Sequence, residues 1–168
     1  MALKSINPAT GEEVASFEEL SDSEIMAKLD KAQAAFGAWR KTSFGERANL
    51  MKKVGEIFTA KAEEYAKLMT LEMGKPITQG IGEAKKCTLG CEFYAENAER
   101  FLAPEVVDTD ASESFVRHDP LGIILAVMPW NYPFWQAVRA AAPAIMAGNV
   151  FVLKHASNVP QCGMAMES

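Results

Sequence analysis

Three polar side chains in the second half of the sequence have the types and the spacing of a binding or catalytic site. Asn131 follows one apolar run, Lys154 ends the next, and Arg139 lies eight residues after Asn131. An asparagine amide can donate to an oxygen that becomes negative during a reaction. A lysine ammonium can bind ribose hydroxyls or a phosphate, and an arginine guanidinium can bind a carboxylate through two hydrogen bonds.

Each of these residues also has an ordinary structural explanation. Asn131 could cap the helix that follows it, a role that asparagine performs well. Lys154 could be a surface lysine at the end of a strand, and Arg139 could be a solvent-facing charge. The local sequence does not decide between the two roles of Asn131, and Arg139 stays open as well. Polar residues at two consecutive strand ends favour a site that includes Lys154.

The segments that carry these residues predict a strand–helix–strand unit. Residues 121–128 are apolar, a helix-compatible segment follows, and a second apolar run covers 149–154 after the Ala-Gly-Asn turn at 147–149. Open α/β sheets bind ligands at the carboxyl ends of parallel strands. We therefore expect the side chains of Asn131 and Lys154 to face one shared crevice.

The first half of the sequence predicts a β-hairpin followed by a layer of helices. A turn cluster at 7–11 predicts a hairpin over residues 3–20. Apolar spacing and stop signals predict three helices, over 21–40, 42–73 and 77–102. The first begins with a capping box, Ser21 followed by Glu24. The third carries mixed charges, Glu83 among them, and such charges are typical of a solvated face.

Two further segments interrupt this helical pattern. Residues 105–119 change in composition and predict short strands over 106–109 and 115–118. The glycines of Gly80-Ile81-Gly82 begin like a dinucleotide-binding fingerprint. The third glycine is missing and no strand precedes them, so they are interpreted as the start of the third helix.

Composition excludes several classes of protein. The 168 residues are 49% hydrophobic and carry a net charge of −5, which argues against a nucleic-acid-binding surface. No apolar run approaches the roughly 20 residues of a membrane span, and no secretory signal is visible, so a cytoplasmic location is expected. Cys87, Cys91 and Cys162 are interpreted as reduced core residues, with no metal site.

Short motifs along the whole chain resemble those of the aldehyde dehydrogenase superfamily, closest to its succinate-semialdehyde dehydrogenase branch. Each motif is weak alone, but the ordered series is highly specific. The matching segments are Ile6–Glu12, Leu71–Pro76, Pro120–Gly122, Pro129–Pro133, Ala142–Ala144, Ala147–Asn149 and Val152–Lys154.

The resemblance implies an α/β fold, the N-terminal part of an aldehyde dehydrogenase-like structure. Residues 1–104 would form the hairpin and the helical part of the cofactor-binding domain. Residues 105–119 resemble the strands with which the family oligomerises. Residues 120–168 would form the first strand–helix–strand unit of a Rossmann-like parallel sheet. The chain is interpreted as a truncated fragment that lacks the catalytic domain.

For the cofactor, the resemblance implies contacts at both strand ends. Trp130 and Asn131 match backbone contacts to the dinucleotide, and Lys154 matches a lysine that binds the adenosine ribose. His155, Ala156 and Ser157 complete the cofactor-binding set, and His155 replaces a commoner proline. Ser157 stands where NAD-preferring members often carry glutamate, whose carboxylate would repel a 2′-phosphate. NADP is therefore plausible, and both NAD and NADP stay open.

For the substrate, the resemblance implies a catalytic role for Asn131 as the amide that stabilises the oxyanion. Arg139 matches the residue that binds the far carboxylate of a semialdehyde, and Gln136 and Tyr132 are assigned to the same substrate site. The family nucleophile, a cysteine in a Gly-Gln-x-Cys sequence, and its general-base glutamate are expected beyond residue 168.

The expected function is NAD(P)-dependent oxidation of a small aldehyde, succinate semialdehyde, to the carboxylic acid by a longer, homo-oligomeric enzyme. The 168-residue chain alone is expected to be inactive. The alternative is a truncated, non-catalytic chain that acts as an interaction or oligomerisation module. In a third hypothesis, the chain only binds a nucleotide weakly through its partial sheet.

Overall fold

The polypeptide runs from a hairpin through a layer of helices into a parallel pair of strands, which confirms the predicted α/β order. A computed structural model describes residues 2–167, so Met1 and Ser168 lie outside the described range. Its elements are β1 (Ala2–Ile6), β2 (Glu13–Glu18), α1 (Asp22–Trp39), α2 (Phe44–Ala60), α3 (Ala62–Met73), α4 (Ile77–Phe101), β3 (Glu105–Val106), β4 (Phe115–Val116), β5 (Ile123–Val127), α5 (Pro133–Met146), β6 (Val150–Lys154) and α6 (Pro160–Met164).

Local sequence signals place the first two helices. Ser21 and Glu24 form the predicted capping box: the Glu24 carboxylate accepts from the Ser21 N–H at 2.7 Å, and the Ser21 hydroxyl accepts from the Glu24 N–H. Ser43 and Glu46 repeat this arrangement at the start of α2. Both helices therefore begin at residues that satisfy their own free backbone donors.

The prediction of one helix over 42–73 is wrong, because the chain breaks at Lys61 between α2 and α3. Lys61 has φ −100° and ψ 16°, outside helical values. Neither glycine nor proline marks this break in the sequence. Phe58 and Tyr65 on either side of it are both buried, and α2 and α3 each pack along α4. We attribute the break to that packing, since two short helices can both follow the surface of α4.

The strands predicted over 106–109 and 115–118 are shorter than expected. They consist of β3 and β4, two residues each, paired antiparallel with Val106 opposite Phe115. Both strands are exposed over their whole length, so no core contact extends the pairing.

The core joins the helical layer to α5. Phe134, which is fully buried, lies with its ring centroid 4.7 Å from that of Tyr65 and 6.0 Å from that of Phe58. Phe134 belongs to the first turn of α5. The helical layer thus holds the beginning of α5, which is the end nearest the predicted site.

A buried asparagine fixes the opposite end of the strand pair. The Asn149 side-chain oxygen accepts from the backbone N–H of Leu121 and Gly122 at 2.7 and 3.0 Å, and its amide donates to the Ala144 carbonyl. Gly148, in the turn that precedes Asn149, has φ +92°, a backbone conformation that glycine adopts readily. The Ala-Gly-Asn turn therefore sets the register of β5 and β6.

Gly80 and Gly82 lie inside α4, which agrees with the helical interpretation of this segment. A Cβ at position 80 would lie 2.8 Å from the Ala66 Cβ, whereas nothing lies within 4 Å of one at position 82. We expect Gly80→Ala to destabilise the protein by about 1–3 kcal/mol through overpacking of α3 against α4. Gly82→Ala, the matched control, is expected to stabilise it by up to about 1 kcal/mol through helix propensity. Urea unfolding of both variants measures the two values, and equal effects would contradict the prediction.

Candidate functional site

The carboxyl ends of β5 and β6 lie side by side. The strands are parallel, with Val127 opposite Lys154, and the Met128 N–H donates to the Lys154 carbonyl at 3.1 Å. Asn131 follows in the loop between β5 and α5. This confirms that Asn131 and Lys154 belong to neighbouring parallel strand ends. That their side chains share one crevice stays a prediction.

Asn131 does not cap α5. The N-cap residue is Tyr132, and no side chain of the first turn accepts a capping hydrogen bond there. Asn131 is exposed, and within residues 2–167 its side chain has no hydrogen-bond partner. The capping alternative is therefore wrong, and the Asn131 amide is left available to a ligand.

The polar side chains at the end of β6 and in the turn after it include no carboxylate. Lys154 is exposed, and Ser157 and Asn158 are exposed in the turn that follows. Across the described part of the chain, none of these side chains has a hydrogen-bond or ion-pair partner. An ammonium, a hydroxyl and an amide form a donor set that suits ribose hydroxyls and a phosphate.

The ring of His155, which follows β6, contacts the start of α5. Its Nδ1 accepts from the Ala156 N–H at 2.8 Å, and its Nε2 lies 2.9 Å from the Pro133 carbonyl oxygen. Because a carbonyl oxygen can only accept, Nε2 is the nitrogen that donates to Pro133. Both ring nitrogens and the Ala156 N–H are thus engaged within the protein, which leaves only apolar contacts from these side chains to a cofactor.

A buried carboxylate from α4 caps α5. The Glu83 Oε1 accepts from the backbone N–H of Phe134 and of Trp135, each at 3.0 Å. Its Oε2 forms an ion pair with Lys75, and the two side chains are 0% and 5% exposed. The expectation that Glu83 belongs to the solvated face of its helix is therefore wrong. It satisfies the free donors at the start of α5.

A second buried carboxylate repeats this arrangement at α6. Glu72 accepts from the backbone N–H of Gln161 and Cys162, both at 2.8 Å. α5 and α6 each begin with proline after the short loop that follows a strand. Tyr132 and Val159, the N-cap residues, supply no side-chain cap.

The sequence analysis did not identify Glu83 or Glu72 as functional residues, although one sequence signal shows that acceptors of this kind are needed. A helix that begins with proline after a residue unable to cap it still has two free N–H groups in its first turn, and buried donors require an acceptor from elsewhere in the fold. The sequence shows the need for that acceptor but does not show which residue provides it.

Of the residues assigned to the substrate, Tyr132 immediately precedes α5, and Gln136 and Arg139 lie within it. Tyr132, Gln136 and Arg139 are four and three residues apart, the spacing of neighbours on a helix surface. Arg139 is exposed, and its guanidinium makes no ion pair or hydrogen bond with any described residue. Tyr132 contacts Lys75, whose Nζ lies 3.8 Å from the centre of its ring. Gln136 is half-buried.

The three cysteines have the environment of core residues, as expected. Cys87, Cys91 and Cys162 are buried and free of disulfides. Burial raises the pKa of the Cys91 thiol from 9.0 to about 11. Burial, with a smaller contribution from Glu83 to Cys87 and from Glu72 to Cys162, also raises the pKa of the other two thiols. A thiolate nucleophile is disfavoured at all three positions.

We expect none of the three thiols to react with an aromatic disulfide reagent in the native protein at about pH 8, because the thiolate is the reactive form and each thiol is both buried and protonated. All three are expected to react in denaturant. Absorbance of the released thiolate counts the reactive groups, and rapid native labelling of Cys162 would contradict the assignment.

A cavity of about 350 Å³ lies away from these residues. It is apolar and is formed by the C-terminal halves of α4 and α5, whereas Asn131 precedes the N-terminus of α5. Apart from Tyr94, its lining residues have no polar side-chain group that could orient a ligand. Its lining consists of Tyr94, Ala98, Phe101, Leu102, Pro143, Ala144 and Ala147.

Two features are absent from the described range. No group of three or more His, Cys, Asp or Glu side chains in residues 2–167 is placed to hold a metal ion. No helix in the same range has the length and apolar character needed to cross a membrane.

Comparison with known proteins gives a consistent result. The sequence model described as "Aldehyde dehydrogenase family" matches residues 1–168. A Synechocystis sp. protein named "Probable succinate-semialdehyde dehydrogenase [NADP(+)]" is 57% identical over 166 residues, which are 99% of this chain and 37% of that protein. "Succinate-semialdehyde dehydrogenase [NADP(+)] 1" of Mycobacterium tuberculosis is 51% identical, over 98% of this chain and 36% of that protein.

Solved structures show the same likeness. The crystal structure of succinic semialdehyde dehydrogenase from Streptococcus pyogenes in complex with NADP+ superposes with a TM-score of 0.94 at 34% identity. The match covers 99% of this chain and 37% of that one. The chain thus spans a little more than a third of the length of the relatives that it matches.

Proposed function

The chain belongs to the aldehyde dehydrogenase family, and from this premise we propose that it forms the cofactor- and substrate-positioning part of an enzyme that oxidises an aldehyde to a carboxylic acid with NAD(P). One observation carries the proposal. At the adjacent ends of two parallel strands, the Asn131 amide and the Lys154 ammonium are exposed and lack partners in the described chain. Such groups are available to a reacting oxygen and to a nucleotide.

The last residue of β6 and the residues after it fit a nucleotide that carries a 2′-phosphate. Lys154 supplies a positive charge, Ser157 and Asn158 supply neutral donors, and residues 154–159 include no carboxylate that would repel the phosphate. The NADP-dependent names of the relatives agree with this donor set. We therefore propose NADP as the preferred cofactor, whose nicotinamide supplies the electron-pair acceptor for the oxidation.

Arg139 supports a substrate that carries a carboxylate far from its aldehyde group. It is exposed, has no partner among residues 2–167, and lies on the helix whose first turn follows Asn131. Its position in α5 is six residues beyond Pro133, which corresponds to about 9 Å along the helix axis. A guanidinium at that distance can bind the far carboxylate while Asn131 donates to the aldehyde oxygen. Succinate semialdehyde has this arrangement of groups, and we propose it as the substrate.

The nucleophile of this reaction is proposed to come from the remainder of the enzyme. Covalent catalysis requires an activated thiol, and the three cysteines here are buried with raised pKa values. The purified 168-residue chain, mixed with succinate semialdehyde and NAD or NADP, is accordingly expected to give no reduced nicotinamide above the blank. Turnover above the blank would show that this division of roles is wrong.

A chimera tests the function itself. Residues 1–168 replace the matching segment of the Synechocystis relative, and reduction of NADP is followed with succinate semialdehyde. Arg139→Leu is expected to raise the KM for succinate semialdehyde about 10- to 100-fold, since a charge-assisted hydrogen bond contributes roughly 1.5–3 kcal/mol. The KM for butanal, which lacks the carboxylate, should be unchanged. Arg100→Leu, at an exposed arginine of α4, is the control. A folded but inactive chimera would refute the proposal.

A second function is favoured by the exposed apolar residues of the strands. Val106 of β3 is 88% exposed, and Leu125 and Val127 of β5 are 66% and 67% exposed. Exposed apolar surface of this kind favours association. We propose, as the alternative, that the chain forms an oligomer through these strands. Size-exclusion chromatography of Val106→Asp beside the unmodified chain tests this, because a defined oligomer should dissociate in the variant.

A further inference from the structure

We propose that Glu83 is a positioning residue for Asn131. Glu83, which lies outside α5, accepts hydrogen bonds from the first turn of that helix. The Asn131 amide is therefore not needed as a cap, and the loop that carries it is held in place. This inference rests on the proposed function, because it assigns to Glu83 an effect on the reaction through Asn131.

The first turn of α5 has two N–H groups that need acceptors. Pro133 has no N–H, which leaves those of Phe134 and Trp135, and the Glu83 Oε1 accepts both at 3.0 Å. An asparagine just before a helix commonly fills this role with its own side chain. Here Glu83 fills it, Tyr132 occupies the N-cap position, and the Asn131 side chain has no hydrogen bond within the described residues.

The second oxygen of Glu83 fixes the other side of the loop. It is paired with Lys75, and the Lys75 Nζ also lies 3.8 Å from the centre of the Tyr132 ring. The residue that directly follows Asn131 and the first turn of α5 are therefore held by one ion pair. The pair is almost fully buried, and burial strengthens such hydrogen bonds.

The loop is also held from the side of β6. His155 donates from Nε2 to the Pro133 carbonyl at 2.9 Å. Contacts from α4, from Lys75 just before it and from His155 just after β6 thus converge on residues 132–135. Asn131 itself makes none of these contacts, so the residues that follow it are held while its own amide has no partner in the described chain.

Glu72 provides a matched comparison. It is 3% exposed, like Glu83, and it also accepts from the second and third residues of a helix that begins with proline. The helix that it caps, α6, follows the strand end that carries Lys154 and Ser157 and not the one that carries Asn131. The two glutamates therefore share chemistry and burial but hold different loops.

A double-mutant cycle in the active chimera tests the inference. Glu83→Gln keeps the shape of the side chain and removes its charge. We expect kcat to fall about 10- to 100-fold with KM changed less than about twofold, because a displacement of about 1 Å in a catalytic group can cost up to 100-fold in rate. In a chimera that already carries Asn131→Ala, Glu83→Gln should lower kcat less than about twofold further. Glu72→Gln should instead raise the KM for NADP.

The outcomes separate the possible causes. Additive losses in kcat from Glu83→Gln and Asn131→Ala would mean that Glu83 does not act through Asn131, and would overturn the inference. An inactive unmodified chimera would refute the proposed function and, with it, this role of Glu83. If Glu83→Gln fails to fold, amide hydrogen exchange of the unmodified chimera decides: Phe134 and Trp135 should exchange as slowly as the middle of α5, and rapid exchange would overturn the inference.

Discussion

Lys75→Met is expected to lower the free energy of unfolding of this chain by about 3–5 kcal/mol, the usual effect of removing one partner from a buried ion pair. The Glu83 side chain is fully buried, so without Lys75 its carboxylate would lack a counter-charge and could not reach water. The contact of the ammonium with the Tyr132 ring would be lost as well. Urea unfolding followed by circular dichroism measures the change.

Lys85→Met is the matched control. Lys85 belongs to the same helix as Glu83 but is exposed, and within residues 2–167 it has no hydrogen-bond or ion-pair partner. We expect its replacement to change the free energy of unfolding by no more than about 0.5 kcal/mol. Equal effects of the two substitutions would show that the buried pair contributes no more than a surface charge.

Asn131→Ala in the chimera is expected to lower kcat about 10²- to 10³-fold, the usual effect of removing one donor to a developing oxyanion. The Asn131 amide is exposed and without a partner in the described chain, so it can donate to a substrate oxygen without first giving up a bond within the protein. Initial rates of NADP reduction with saturating succinate semialdehyde measure kcat. Asn49→Ala, at an exposed asparagine of α2, should leave kcat unchanged.

The stability of the same variant separates the two roles of Asn131. Loss of an asparagine N-cap costs about 1 kcal/mol. The N-cap of α5 is Tyr132, and Glu83 accepts from its first turn, so Asn131→Ala should leave the free energy of unfolding within about 0.5 kcal/mol of the unmodified chain. If the free energy of unfolding instead falls by about 1 kcal/mol, as on loss of an N-cap, and kcat is unchanged, then Asn131 has a structural role and takes no part in the reaction.

The features that the sequence predicted correctly depend on residues close together along the chain. Ser21 and Glu24 form a capping box three residues apart, and the turn over 7–11 joins a hairpin whose strands follow at once. The apolar runs that became β5 and β6 are short, and the helix between them returns the chain for parallel pairing. Local hydrogen bonding and periodicity are sufficient for such elements.

The features that the sequence failed to predict depend on contacts between distant residues. The break at Lys61 has no glycine or proline to mark it, and it follows from packing against α4. In the sequence, Glu83 is one of several charges of both signs on its helix. In the structure it is buried and accepts from Phe134 of α5, which is 51 residues further along the chain. Periodicity cannot show which face of a charged helix another element will cover.

The sequence by itself determined the order of the elements, the strand ends that carry Asn131 and Lys154, and, through its ordered motifs, the family resemblance. Only the tertiary structure decided that the Asn131 side chain has no partner within residues 2–167 and that a carboxylate from another helix accepts from the first turn of α5. The physical reason is that hydrogen bonding must be satisfied across the whole fold: the need for an acceptor is local, whereas the residue that meets it is chosen by packing.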